Sequence, residues 1–333
     1  MSYKIRRVCL SFITLSVMML NFQLLHAQNL SALDGMIEQT KKQFGGKLAV
    51  MVWKDTIVYK KFAGEDLTLN TQGPIGCESA WLTAGLTMTF VEQGKLDLDD
   101  PVAKYLPIYA TYAKSYLTIR HCLANVTGIE PEKGGIQKIF QKTRFTSLEE
   151  EVNAIAKREI KNNPGEVFYY NNYGSNIVGR VLEIVGKKGF DRLMMERIFR
   201  PCGMKRSTFS SDVAINPFSG GVSTPADYIK FQAMLLNGGM AGIKKVLTPQ
   251  SIAEMQKVQT GNAKNIFVPA HVQGYVYGLG NWIRDGVITS PSLQGGWAWI
   301  DTKKKYAVLV FGETKEDKKE YYDEIINAVD AGF

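Results

Sequence analysis

The run Cys77-Glu78-Ser79-Ala80 holds the side chain in this sequence best suited to covalent chemistry. A free thiol has a pKa of about 8.5, and the outward-pointing amides of a helix N-terminus can lower it. A thiolate so placed attacks acyl carbons, so the residue type suggests acyl transfer through a thioester. Two neighbours oppose this: Ala80 supplies no cation, and Glu78 adds a negative charge beside the sulfur. The bland alternative stands equal to it. Cysteine is often a small, buried, inert residue, and Cys77 has Cys122 and Cys202 as possible disulfide partners. His121 and His271 have no cysteine or acid at ligand spacing and read as hydrogen-bonded structural residues, so neither a metal nor a cofactor is expected.

The element that would carry Cys77 is easy to delimit. In residues 74–96, "PIGCESAWLTAGLTMTFVEQGKL", Trp81, Ala84, Met88 and Val91 fall at helical spacing. Leu82, Leu86 and Phe90 form a second apolar stripe, and Gly94-Lys95 ends the run. A helix apolar nearly all round belongs inside a core. Residues 29–45 read as an N-terminal helix, followed by a hairpin from "KLAVMVWKD" and "TIVYKKFAG". From Glu78 to about Met255 the pattern is helical. "YGLGNWIRDG" and "GGWAWIDTKKKYAVLVFGE" return to strands, the latter a hairpin turning at Asp301 to Lys304, and "KEYYDEIINAVDAG" closes as a helix. Strands at both ends of a helical middle imply one antiparallel sheet with terminal helices and an inserted helical lobe.

With 333 residues, 45% apolar and 22% charged, the chain has the composition of an ordinary globular protein. "MSYKIRR", the apolar "VCLSFITLSVMML" and "LLHAQ" form a signal-peptide pattern cleaved after Ala27. An exported chain, periplasmic or secreted, is therefore expected, and no membrane span. The net charge of +8 falls by three when Lys4, Arg6 and Arg7 leave. The remaining lysines are scattered, which gives no footprint for nucleic acid.

Several longer stretches occur in a telling order: "WLTAGLTMTFVEQGKLDLDDPVAKYLP" (81–107), "LTIRHCLANVTGIEP" (117–131) and "PGEVFYYNNYGSNIVGRVLEIVGKKGFDRLMMERIFRPCGMKRSTF" (164–209). "GGVSTPADYIKFQAMLLNGG" (220–239), "LTPQSIAEM" (247–255) and "YGLG" (277–280) follow. Together they resemble the serine β-lactamase and penicillin-binding-protein superfamily, on its class C β-lactamase, DD-peptidase and esterase branch. The resemblance implies an α/β domain of the α+β type over residues 28–333. Its sheet lobe would comprise 28–75 and 270–333, and its helical lobe 76–269.

The resemblance also assigns roles. The family's Ser-x-x-Lys, anchored on "WLTA" and "EQGKL", places Cys77 at the serine and Ala80 at the lysine. Taking Ser79 as nucleophile would slip the helix by two residues and rotate its buried face, so that register is rejected. Tyr170-Asn171-Asn172 matches Tyr-x-Asn, which makes Tyr170 a proton relay and Asn172 a catalytic companion. Lys- or His-x-Gly falls on Ser290-Pro291-Ser292, making Ser290 and Ser292 substrate-binding positions. The backbone amides of Cys77 and Leu293 would form the oxyanion hole. In "LANVTG", Asn125 stands in place of the usual histidine.

These residues imply an acyl-transfer enzyme, a hydrolase or acyltransferase, acting through Cys77 on a small-molecule or peptide-like acyl substrate. A non-catalytic relative keeping the cleft to bind a peptide or cell-wall fragment is the alternative. A purely structural role is the third reading.

Overall fold

The structure is a computed structural model that describes residues 33–129, 145–292, 294–313 and 319–332. The proposed signal sequence lies outside the described residues. The fold class is the one expected, a mixed antiparallel sheet and helix architecture.

Seven strands form the main sheet: β1 Leu48–Lys54, β2 Thr56–Ala63, β3 Val276–Tyr277, β4 Trp282–Arg284, β5 Val287–Ser292, β6 Gln294–Asp301 and β7 Tyr306–Glu313. Their spatial order is β2-β1-β7-β6-β5-β4-β3, antiparallel throughout. In β1, Leu48 to Val52 are all buried, as a strand covered on both faces requires. β2 is an edge strand, exposed over Thr56 to Val58 and buried only at Ala63. The C-terminal hairpin pairs Asp301 with Tyr306, with Lys305 at φ 61 in the turn, one residue beyond the expected corner.

Helix α1 (residues 33–40) and the terminal helix α8 (Lys319–Asp330) supply Leu33, Ile37, Ile325, Ile326 and Val329 to the core. Tyr322 meets Phe44 edge-on at 5.0 Å and Trp297 of β6 at 4.8 Å. The helices between include α2 (Glu78–Val91), α3 (Ile119–Leu123), α4 (Leu148–Ala156), α5 (Tyr173–Gly186), α6 (Pro225–Leu236) and α7 (Pro249–Met255).

Helix α2 is buried from Glu78 to Phe90, as its all-round apolar pattern demands. Polar side chains aimed at neighbouring backbone fix its position: Thr83 Oγ1 donates to Pro217 O at 2.7 Å, and Tyr228 of α6 donates its phenolic O–H to Glu78 O at 3.1 Å. Gln232 of α6 donates to the carbonyls of Trp299 and Val308, tying that helix to β6 and β7. Buried carbonyls satisfied this way avoid the penalty of about 1–3 kcal/mol that an unmade hydrogen bond would carry. No helix among the described residues is long and apolar enough to cross a membrane.

Candidate active site

Gly76, at φ 51, turns the chain into α2, and Cys77 adopts φ −62, ψ −14 at the helix head. Two hydroxyls of β5 hold its peptide. Cys77 N–H donates to Ser292 Oγ at 3.1 Å, and Ser290 Oγ donates to Cys77 O at 3.2 Å. Residues two apart on a strand share a face, so Ser-x-Ser places both hydroxyls against α2. β4 pairs with β5 only along Val287 to Thr289, leaving the serine-bearing end open on that side. A proline at 291 therefore fits without breaking the β4 ladder. Opposite Ser292 stands Gly296, at φ 127, where a Cβ would lie 1.9 Å from Val310 O. Only glycine lets β6 pass there.

Tyr170 reaches the sulfur from the segment that leads into α5. Its hydroxyl lies beside the Cys77 thiol and Trp282, near enough for both to shift its pKa. The preceding residues, Val167 to Tyr169, pair in parallel with Lys264 to Phe267, and Tyr170 N–H donates to Phe267 O at 3.2 Å. Asn171 then closes the corner: its amide donates to Tyr169 O and its Oδ1 accepts from Tyr173 N–H at 2.8 Å, starting α5. Phe218 and Trp282 pack on the Tyr170 ring, each at 5.1 Å between centroids.

Cys77, Tyr170, Ser290 and Ser292 thus converge on one point. Asn172 does not join them through its amide, which donates to Glu151 Oε1 of α4 at 3.4 Å. The same carboxyl oxygen accepts from Asn176 Nδ2 at 3.0 Å, so a local partner on α4 captures the side chain. Leu293 lies outside the described residues. Ser79 points to the far side of α2, where its hydroxyl accepts from Gly221 N–H at 3.0 Å. That placement fits the helix register with Cys77 at its head.

Two residues beside the sulfur were not singled out from the sequence. Tyr277, 1% exposed, lies close enough to feel a charge on Cys77 and sits beside Asn125. Trp282 lies beside the Tyr170 hydroxyl. Asn125 sits at φ 57, a conformation asparagine tolerates better than most residues. The aromatic ahead of the glycines in "YGLG" was the available signal. Which tyrosine of an aromatic-rich chain faces a site depends on tertiary packing.

Burial decides the electrostatics. Cys77 is 1% exposed, and desolvation pushes its thiol up to about 12, against the downward pull of hydrogen bonds from Tyr170 and Ser292. The lowering expected at a helix N-terminus is outweighed. Tyr170 is raised well above the ordinary phenol range, also by burial first. At rest the pair is a neutral thiol against a neutral phenol. Alkylation of Cys77 by iodoacetamide should therefore keep rising about tenfold per pH unit from 7 to 10, where an ordinary thiol levels off near about 9.5. Peptide mass analysis across that range checks the slope.

Glu78 is fully buried, approached by the Ala298 N–H but without a full hydrogen bond to either carboxyl oxygen. Its pKa is raised well above the usual carboxylate value by desolvation. The folded state therefore binds this proton more tightly than the unfolded one, and stability falls as pH rises above the unfolded value of about 4.5. Glu78→Gln removes that dependence. Melting curves should show the difference in Tm, variant minus native, growing between pH 5 and pH 8.

Among the described residues Cys77, Cys122 and Cys202 are all free and buried, so no disulfide closes the site. Thr118 and His121 form a reciprocal cap at the start of α3, a structural role for that histidine. Among the described residues no cluster of histidine, cysteine and acids could hold a metal ion.

Similarity to known proteins accords with this architecture. A Salmonella typhimurium (strain LT2) protein named "Putative D-alanyl-D-alanine carboxypeptidase" is 25% identical over 226 residues, 60% of this chain and 50% of that protein. The chain thus spans about half the length of the curated relatives it matches. Among solved structures, a "putative beta-lactamase" from Bacteroides dorei DSM 17855 superposes with a TM-score of 0.81 at 25% identity, over 91% of this chain and 98% of that one. EstCE1, "a hydrolase with promiscuous acyltransferase activity", gives a TM-score of 0.76 at 17% identity, over 92% and 99% of the two chains, and shows the fold alone. The family model "Beta-lactamase" matches residues 33–332, and the chain belongs to that family.

Proposed function

We propose that this protein is an acyl-transfer enzyme, a hydrolase or acyltransferase of esters and amides, with Cys77 as nucleophile and Tyr170 as proton relay. The reading rests on one observation: a free Cys77 thiol at the head of α2 with the Tyr170 hydroxyl beside it. Sulfur attacks the acyl carbon and a carbon–sulfur bond forms. The thiol proton passes to the Tyr170 oxygen while the phenol's own proton passes to the departing oxygen or nitrogen, whose bond to the acyl carbon breaks. Water or an acceptor alcohol or amine then takes the acyl group by the reverse relay. Because neither group is ionised at rest, reactive esters with good leaving groups are better substrates than amides.

The carboxypeptidase name of the Salmonella relative supports an acyl substrate, small or peptide-like. An exported location, periplasmic or secreted, rests on the amino-terminal sequence pattern and suits a peptide-like substrate outside the cytoplasm. Asn172 remains part of the proposal as a support for the Tyr170 corner rather than a contact to sulfur. Ser290 holds the Cys77 carbonyl, and the Leu293 amide is proposed as the second oxyanion donor.

The burial of Cys77 and Tyr170, 1% and 2% exposed, favours a second reading, a non-catalytic relative whose cleft only binds. Intact-mass measurement after incubation with a p-nitrophenyl ester separates the two. A single acyl adduct mapping to the Cys77 peptide supports catalysis. Saturable binding of a peptide or cell-wall fragment with no adduct would favour the binder.

A further inference from the structure

The Cys77 amide is the donor that would stabilise an oxyanion at this site, and its one hydrogen is already engaged. It points at Ser292 Oγ, 3.1 Å away, which is the distance an oxyanion oxygen takes from such a donor. The same hydroxyl is also near enough to the Cys77 sulfur to pull its pKa down. It is 3% exposed and stands where the family resemblance places a glycine, which has no side chain to put there. Ser290, two residues earlier, binds the Cys77 carbonyl instead and leaves the amide alone. The two serines therefore do different things: one anchors the helix head, the other fills its anion position.

We propose that the Ser292 hydroxyl is the resting occupant of the oxyanion position and restrains acylation of Cys77 until a substrate carbonyl displaces it. This deepens the acyl-transfer reading and rests on it. Rotation about Cα–Cβ of Ser292 carries its oxygen away and frees the Cys77 N–H for the carbonyl oxygen. No bond other than hydrogen bonds changes in that step. The consequence is selectivity. A substrate must offer the amide a stronger acceptor than a neutral hydroxyl, and the oxyanion that develops when an acyl carbon is attacked does so.

The test compares native protein with Ser292→Gly, Ser292→Ala and Ser292→Thr, all checked for unchanged melting. Acylation by p-nitrophenyl acetate is followed by intact mass and alkylation by iodoacetamide in parallel. Alkylation builds no oxyanion. Removal of the hydroxyl should speed acylation about tenfold or more in the Gly and Ala variants, the worth of one freed hydrogen-bond donor, with alkylation little changed. Ser292→Thr, which keeps the hydroxyl, should stay slow. Acylation in Ser292→Gly but not in the native protein also supports the restraint. Native acylation at Cys77 that is unchanged or slower in both truncations would overturn it and leave the acyl-transfer reading standing. An equal rise in alkylation would also overturn it, because the hydroxyl would then act on the sulfur alone. No adduct at Cys77 in any variant would overturn both readings.

Discussion

Cys77→Ala abolishes the acyl adduct, lowering its rate of formation by more than about a thousandfold, the scale on which loss of a covalent nucleophile is felt. The alanine keeps the backbone amide and the helix head, so binding and melting should change little. The sharper comparison is Cys77→Ser. A serine hydroxyl acts as a nucleophile only when a base stands beside it. Here the residue one turn on is Ala80, 1% exposed, and no lysine is there to take the proton. Tyr170 is held protonated by burial and cannot act as a resting base for an alcohol. Serine at 77 should therefore be slower than cysteine by about a hundredfold or more, since a hydroxyl is far less acidic than even a buried thiol. Stopped-flow release of p-nitrophenol from the two variants measures the ratio. Equal rates would mean that some other group supplies the base and that the exchange of serine for cysteine carries no mechanistic weight.

Gly174→Ala is expected to damage both stability and site. Gly174 lies in the first turn of α5, four residues after Tyr170, where that helix crosses α3. A Cβ there would come 1.9 Å from Cys122 O and 2.6 Å from its carbonyl carbon. Backbone cannot rotate out of the way as a side chain does, so the helices must separate. Overpacking of this kind costs up to about 3 kcal/mol, or more where both partners are main chain. For a domain of this size the Tm should fall by roughly 5 °C or more. The same separation carries Tyr170 away from Cys77. Cys77 acylation should fall by more than the loss of folded protein explains, while Cys77→Ala leaves the melting temperature in place. Differential scanning calorimetry beside the adduct assay distinguishes the two effects.

Much of this was legible before any fold was seen, and the reason is periodicity. The all-round apolar pattern of residues 78–91 could only be a buried helix, and the alternation around Trp297 and Val308 could only be a sheet. The order of the family-like segments then tied these elements to one architecture. It also put Cys77, Tyr170 and Ser290-Pro291-Ser292 at corresponding places, because each lies within or next to a patterned element. What the sequence could not decide was orientation and environment. Asn172 and Asn171 are neighbours of the same type, and only the position of Glu151 on α4 shows that the amide of Asn172 is captured there. The thiol pKa could not be inferred either. A helix N-terminus lowers it and burial raises it, and which prevails depends on the aromatic side chains of Tyr170, Phe218, Tyr277 and Trp282, brought together from distant parts of the chain. The sequence by itself determined the fold and marked the candidate groups, because both follow from local pattern. Only the tertiary structure decided that burial raises the thiol and that a serine hydroxyl from β5 accepts the Cys77 amide, because desolvation and hydrogen bonding are set by neighbours distant in the chain, Ser292 being 215 residues away.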